Sequence, residues 1–314
     1  MEIKKISTEK LLDISTGKRP ESFTDFQWQS HIKSVLQTAI QSAKTREGNI
    51  GHTLFSGPSW FGKTTIANIV AKQMSKGIKA VTGYAISKPA EIISILNSLE
   101  DGEILFIDEI HRLKPNIEEV LYIAMEDFVI DMVMPDGANV RIPISPFTLI
   151  WATTQAEKLS PPLKNRFVYN FHFMDYSPDE KKQIIKRYLN QYNIQAEEEM
   201  YEYIHQKVDA VPREIHNLCI KIRDYLVSIH KEKKLILNKK NWEDFVHYIQ
   251  IQDGGLSLIH QKYLDILREQ NRPLGVKSLA IQLGVSEKAV EEDIEPLLLK
   301  LNKIEKTAVG RVLV

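Results

Sequence analysis

Apolar residues recur along this chain with two periods, and the order in which the periods alternate predicts the architecture. From Thr53 onward, short apolar runs take turns with amphipathic stretches: TLFSG at 53–57, TTIANIVAKQM at 64–74, IKAVTG at 78–83, PAEIISILNSL at 89–99, EILFID at 103–108, IEEVLYIAME at 117–126 and FTLIWATT at 147–154. Strands that alternate with helical patterns predict a parallel sheet covered by helices, an α/β fold. Before this block, Ile32, Val35, Leu36 and Ile40 repeat at helical spacing between His31 and Lys44, behind a polar arm over the first 20 or so residues. One segment departs from the pattern. Phe128 to Ile144 reads as two strands around Pro135, Asp136 and Gly137, a hairpin signal inside an α/β region. After Tyr176 the pattern is helical, beginning with Ser177 as N-cap, Pro178 in the first turn and Glu180 at the capping-box position. Gln252, Asp253, Gly254 and Gly255 read as a linker, and the remaining stretch predicts helix, turn, helix, turn, helix and two short strands, a winged-helix pattern. The expected domains are therefore 1–176, with the hairpin 128–144 protruding from it, an α-helical lid at 177–252 and a winged helix at 253–314.

Composition narrows the function classes. The 314 residues carry 41 Lys+Arg against 41 Asp+Glu, so the net charge is zero and any nucleic-acid contact must come from a local basic patch. The single Cys219 excludes an internal disulfide and a cysteine-based zinc site. No stretch approaches the roughly 18 consecutive apolar residues of a membrane span. A cytoplasmic protein without a membrane partner is expected.

Gly57, Pro58, Ser59, Trp60, Phe61, Gly62, Lys63 and Thr64 fit GxxxxGK[ST] between a strand and a helix. In such a loop the helix-start amides wrap phosphate, Lys63 reaches the β and γ oxygens, and the Thr64 hydroxyl holds Mg²⁺. The apolar strand Ile104 to Ile107 runs into Asp108 and Glu109, placing one carboxylate beside the metal and a second, the expected general base, beside an attacking water. A strand ending in Thr153 and Thr154 offers a hydroxyl to orient that water, and the pattern leaves open which one. Arg166, in a short loop, and Arg213, in Val211-Pro212-Arg213, are guanidinium candidates for phosphate charge. The predicted reaction is nucleotide hydrolysis with Mg²⁺ as cofactor.

GxxxxGKTT, LFIDEIHRL, EEVLYIAMED, ATT, PLKNRF and the Pro-Arg of VPR together resemble the RuvB family of Holliday-junction branch-migration motors, which are AAA+ ATPases; KRPESFTDF at 18–26 and EPLLLKLNKIEKT at 295–307 resemble its opening and closing segments. The resemblance implies Arg19 and Thr65 among the nucleotide contacts, Thr154 or Thr153 as first sensor, Arg166 as an arginine finger reaching a neighbouring subunit, and Arg213 as second sensor on the lid. It also implies a homo-hexameric ring on duplex DNA and four-way junctions, serving recombination, repair and the SOS response. A RuvA-like partner would dock on the hairpin, whose apolar residues include Ile130, Met132, Met134 and Ile142; packing of the hairpin on its own domain is the competing reading. In the predicted wing, Lys306 and Arg311 are the DNA-contact candidates, while Glu287, Glu291, Glu292, Asp293 and Glu295 make the preceding helix too acidic to enter a major groove. Two other functions stay open: a clamp-loader-like ATPase, and an ATP-binding switch that hydrolyses poorly. The second is raised by Trp28, Trp60 and Trp151, three of the 4 tryptophans, which stand where the family pattern has glycine. A single cause would be a UGA codon that the source organism reads as glycine.

Overall fold

The computed structural model describes residues 20–26, 29–133, 137, 139–159, 161–208, 211–229 and 235–314. Arg19, Trp28, Met134 and the Pro135-Asp136 pair lie outside the described residues. The chain divides into one unit up to Tyr176 and another from Ser177.

In the first unit α1 (Ser30–Thr45) precedes β1 (Thr53–Ser56), α2 (Lys63–Met74), β2 (Ile78–Thr82), α3 (Pro89–Asn97), β3 (Ile104–Asp108) and α4 (Pro115–Asp127). There follow β4 (Val129–Val133), β5 (Asn139–Pro143), β6 (Thr148–Thr153), α5 (Pro161–Lys164) and β7 (Tyr169–His172). Five strands form a parallel sheet in the order β2-β3-β6-β1-β7. All six residues of β6 and the first four of β3 are buried, which is why these strands read as continuous apolar runs rather than alternating ones. On one face Leu105, Ile107, Leu149 and Trp151 pack with Ile92 and Leu96 of α3 and Ile117 and Leu121 of α4. β6 lies between β3 and β1, so the C-terminal ends of these three strands are neighbours, the place where open α/β sheets hold ligands.

β4 and β5 form the expected antiparallel hairpin. Ile130 faces Ile142 and Met132 faces Val140 on one side, while Asp131 and Arg141 ion-pair on the other at 2.9 Å. Ile130 is 1% exposed within the core beneath the sheet, so its assignment to partner binding is corrected: its side chain is already covered by its own domain. Met132 is half-buried against the same core, Ile142 is half-buried and Val140 is exposed.

The second unit opens with α6 (Pro178–Gln191), capped as expected: Ser177 Oγ accepts from the Glu180 amide and Glu180 Oε2 accepts from the Ser177 amide. Helices α7 (Glu198–Gln206), α8 (Pro212–Ile229) and α9 (Lys239–Ile249) follow, with two strands that the helical reading of this region did not include, β8 (Ile194–Ala196) and β9 (Leu235–Leu237), paired in parallel. Three residues each are too few for a period of two to show against flanking helices. Helices α10 (Leu258–Gln270), α11 (Val276–Leu283) and α13 (Glu295–Lys300) and the antiparallel wing β10 (Ile304–Thr307) and β11 (Gly310–Leu313) share one apolar core, beside which lies the short α12 (Glu287–Ala289). A wide π-turn at Val290–Ile294 joins α12 to α13 just before Pro296, which has no N–H to continue the ladder.

Candidate nucleotide site

The loop between β1 and α2 turns sharply because two glycines sit where the backbone demands them. Gly57 has φ +133°, and a Cβ there would lie 2.6 Å from the Phe173 carbonyl oxygen; Gly62 has φ +90° and leads into α2. The first-turn amides of α2 have no intrahelical acceptor and give that end of the helix a partial positive charge. Lys63 is buried, and its Nζ donates to the carbonyls of Gly57 and Pro58 at 2.7 Å each. Burial lowers its pKa, while Asp108 and Glu109 act to raise it. Phe61 stacks on Tyr176 with ring centroids 5.2 Å apart, and the Tyr176 hydroxyl donates to the Phe61 carbonyl at 2.7 Å, which fixes the loop from below.

Asp108 ends β3, and Glu109 follows at φ +53°, a left-handed turn that carries its side chain out of the strand direction. Burial, and then the neighbouring Glu109 charge, push the Asp108 carboxyl above its ordinary value. A divalent cation would reverse that preference, and an exposed-edge hydroxyl with a carboxylate is a hard-oxygen donor set suited to Mg²⁺. At the end of β6 the two threonines separate. The Thr153 hydroxyl is buried and accepts from the Gln155 amide at 3.0 Å, whereas Thr154 Oγ1 donates to Glu109 Oε2 at 3.1 Å. Phosphate loop, two carboxylates and a hydroxyl thus come from three adjacent strands. Thr64 and Thr65, on the first turn of α2, are both half-buried.

Arg166, after α5, is 25% exposed and lies on α4 of its own chain, 2.9 Å from Glu126 through Nε and 4.8 Å above the Tyr122 ring. Arg213 is exposed on α8 in the second unit. The wing departs from expectation. Arg311 has a side chain only 14% exposed, with Nε 2.8 Å from Glu295 Oε1 and Nη2 3.0 Å from Glu291. Lys306 is 43% exposed and its Nζ lies 2.6 Å from Glu295 Oε2; the Tyr263 hydroxyl donates to the same carboxylate at 3.0 Å. Glu295 has no exposed side-chain surface. Arg311 is accordingly corrected from a phosphate contact to an internal anchor, because its little-exposed guanidinium is held between two carboxylates; Lys306 pairs with the same Glu295 but keeps a 43% exposed side chain.

These features define a P-loop ATPase of the AAA+ type, with a parallel core sheet and a C-terminal winged helix. The model for the Holliday junction DNA helicase RuvB P-loop domain matches residues 18–173, and that for the RuvB C-terminal winged helix domain matches residues 253–314. The RuvB subunit of the branch migration complex of Campylobacter lari is 37% identical over 316 residues, covering 99% of this chain and 93% of the relative. That of Kosmotoga olearia is 36% identical, covering 94% and 86%. The Thermotoga maritima RuvB Holliday junction branch migration motor superposes with a TM-score of 0.77 at 34% identity, covering 94% of this chain and 95% of that one. The chain belongs to the RuvB family, the ATP-driven helicases of Holliday-junction branch migration.

Proposed function

We propose that this chain works as one subunit of a hexameric ring that drives duplex DNA at a four-way junction, in the cytoplasm, in recombination, repair and the SOS response, and that Glu109 is its hydrolytic base. The observation that carries the reading is the Thr154–Glu109 hydrogen bond beside Asp108 and the phosphate loop. Lys63 exchanges its two loop carbonyls for β and γ oxygens of ATP. Thr64 and Asp108 are the residues that would hold Mg²⁺, which supplies charge neutralisation between the phosphates when bound. Glu109 takes the proton of the attacking water, and Thr154, donating to one carboxylate oxygen, orients the other. Arg166 brings its planar charge to the nucleotide of the next subunit, and Arg213 serves the nucleotide from the lid, residues 177–252. Arg19 and Thr65 complete the nucleotide contacts. The hairpin meets a RuvA-like partner through Met132, Met134, Val140 and Ile142, and the wing touches backbone phosphates through Lys306.

A second reading, an ATP-bound switch with impaired hydrolysis, is favoured by one observation: Trp60 stands in the phosphate loop at φ +71°. ATP turnover with and without a four-way junction and a RuvA-type partner separates the two. The motor reading expects junction and partner to stimulate hydrolysis, and Glu109→Gln to retain ATP in filter binding while losing turnover. A Glu109→Gln variant that fails to hold ATP removes Glu109 as the base.

A further inference from the structure

We propose that Tyr122 is a positioning residue for Arg166, setting the plane of the guanidinium that is delivered to a neighbouring nucleotide; the proposal rests on the reading of Arg166 as the arginine finger. Glu118, Tyr122 and Glu126 stand at i, i+4 and i+8 on α4 and form one stripe along the helix. Arg166 lies across this stripe. Its Cζ is 4.8 Å from the Tyr122 ring centroid, its Nε is 2.9 Å from Glu126 Oε1, and its Nη1 donates to the Pro162 carbonyl at 2.9 Å. The ring is itself secured, since the Tyr122 hydroxyl donates to Glu118 Oε2 at 2.8 Å.

The two partners act differently on the finger. Glu126 lies within ion-pairing distance and neutralises charge, so it competes with phosphate for the guanidinium. The Tyr122 ring takes neither: it holds the cation through its π electrons and binds none of the N–H groups as a conventional acceptor, so those not given to Pro162 remain for phosphate. Tyr122 therefore restricts a long, rotamer-rich side chain without spending the groups that meet the transition state. What matters is the π face; the hydroxyl only steadies the ring.

The test is steady-state ATP hydrolysis by the full chain with duplex DNA, alongside nucleotide affinity. Tyr122→Leu is expected to lower kcat by about tenfold with nucleotide affinity unchanged, and Tyr122→Phe to stay within about twofold of the parent. In the Arg166→Ala background, Tyr122→Leu should cause no further loss, because a residue that acts through Arg166 has nothing left to act on. If circular dichroism shows that Tyr122→Leu does not fold, Tyr122→Met keeps the bulk without the π face and carries the same expectation. A kcat equal to the parent for these variants, or an additive loss on top of Arg166→Ala, overturns the proposal. If Arg166→Ala itself hydrolyses ATP at the parental rate, the finger reading falls and takes the positioning role with it.

Discussion

Trp60 and Trp151 break local rules in two different ways. Trp60 holds φ +71°, an outlying conformation for a bulky side chain, and its indole is 60% exposed over the phosphate loop. Trp151 sits in the middle of the all-buried β6, with its ring 5.0 Å from Phe167, and its buried indole N–H has no acceptor among the described residues. The core thus accommodates the volume of Trp151 and leaves its polar atom unsatisfied, a penalty of about 1–3 kcal/mol. Glycine would remove the strain at the first position and the orphan donor at the second. Sequencing the gene is expected to find UGA at codons 28, 60 and 151; UGG there refutes a codon read as glycine by the source. A chain with Trp28→Gly, Trp60→Gly and Trp151→Gly is expected to hydrolyse ATP faster than the sequence as it stands, which equal rates would contradict. The gathering of Lys63, Asp108 and Glu109 at the ends of neighbouring elements was legible at this scale, because motif spacing fixes it. Which of Thr153 and Thr154 meets Glu109 was not, because it depends on which hydroxyl the backbone amide of Gln155 takes. Arg311 was misread for a related reason, since its anchor Glu295 is 16 residues away and only packing shows that the carboxylate is buried.

At the scale of elements, the wing hangs on that carboxylate. Burial alone would raise the Glu295 pKa, but hydrogen bonds from Arg311, Lys306 and Tyr263 outweigh it, and the net direction is downward. A depressed carboxylate contributes stability that is complete above its unfolded value, about 4.3, and lost as pH falls through the folded one. Glu295→Gln is expected to destabilise the winged module by about 3 kcal/mol at pH 7, with the gap to the parent closing below about pH 4 in acid-unfolding curves followed by circular dichroism. A gap that persists unchanged at low pH would show that charge is not its origin. The hairpin separates in the same manner. Ile130→Asp buries a charge in the core and is expected to lower Tm sharply, whereas Val140→Asp is expected to leave Tm near the parent and weaken pull-down of a RuvA-type partner. Intact partner binding by Val140→Asp would free this face of that role. Hairpin and capping box could be read from turn residues and cap spacing. The β8–β9 pair could not, because its two strands lie some 40 residues apart and neither is long enough to announce itself.

For the whole molecule, zero net charge means that DNA affinity must be concentrated in few contacts. Lys306→Gln is expected to reduce the slope of log affinity against log salt by about one unit, nearly equally for unrelated duplexes, with DNA-free ATP hydrolysis unchanged. An unaltered slope would take the wing off the DNA. A different consequence follows from Tyr176. It is the last residue of the first unit, covalently joined to the N-cap of the second, and it grips Phe61 by one ring stack and one hydrogen bond. The end of the first unit is thus fastened to the loop between β1 and α2. Any displacement of Tyr176 has a two-contact path into the loop between β1 and α2, and a shift of that loop has the same short path back to the last residue of the first unit.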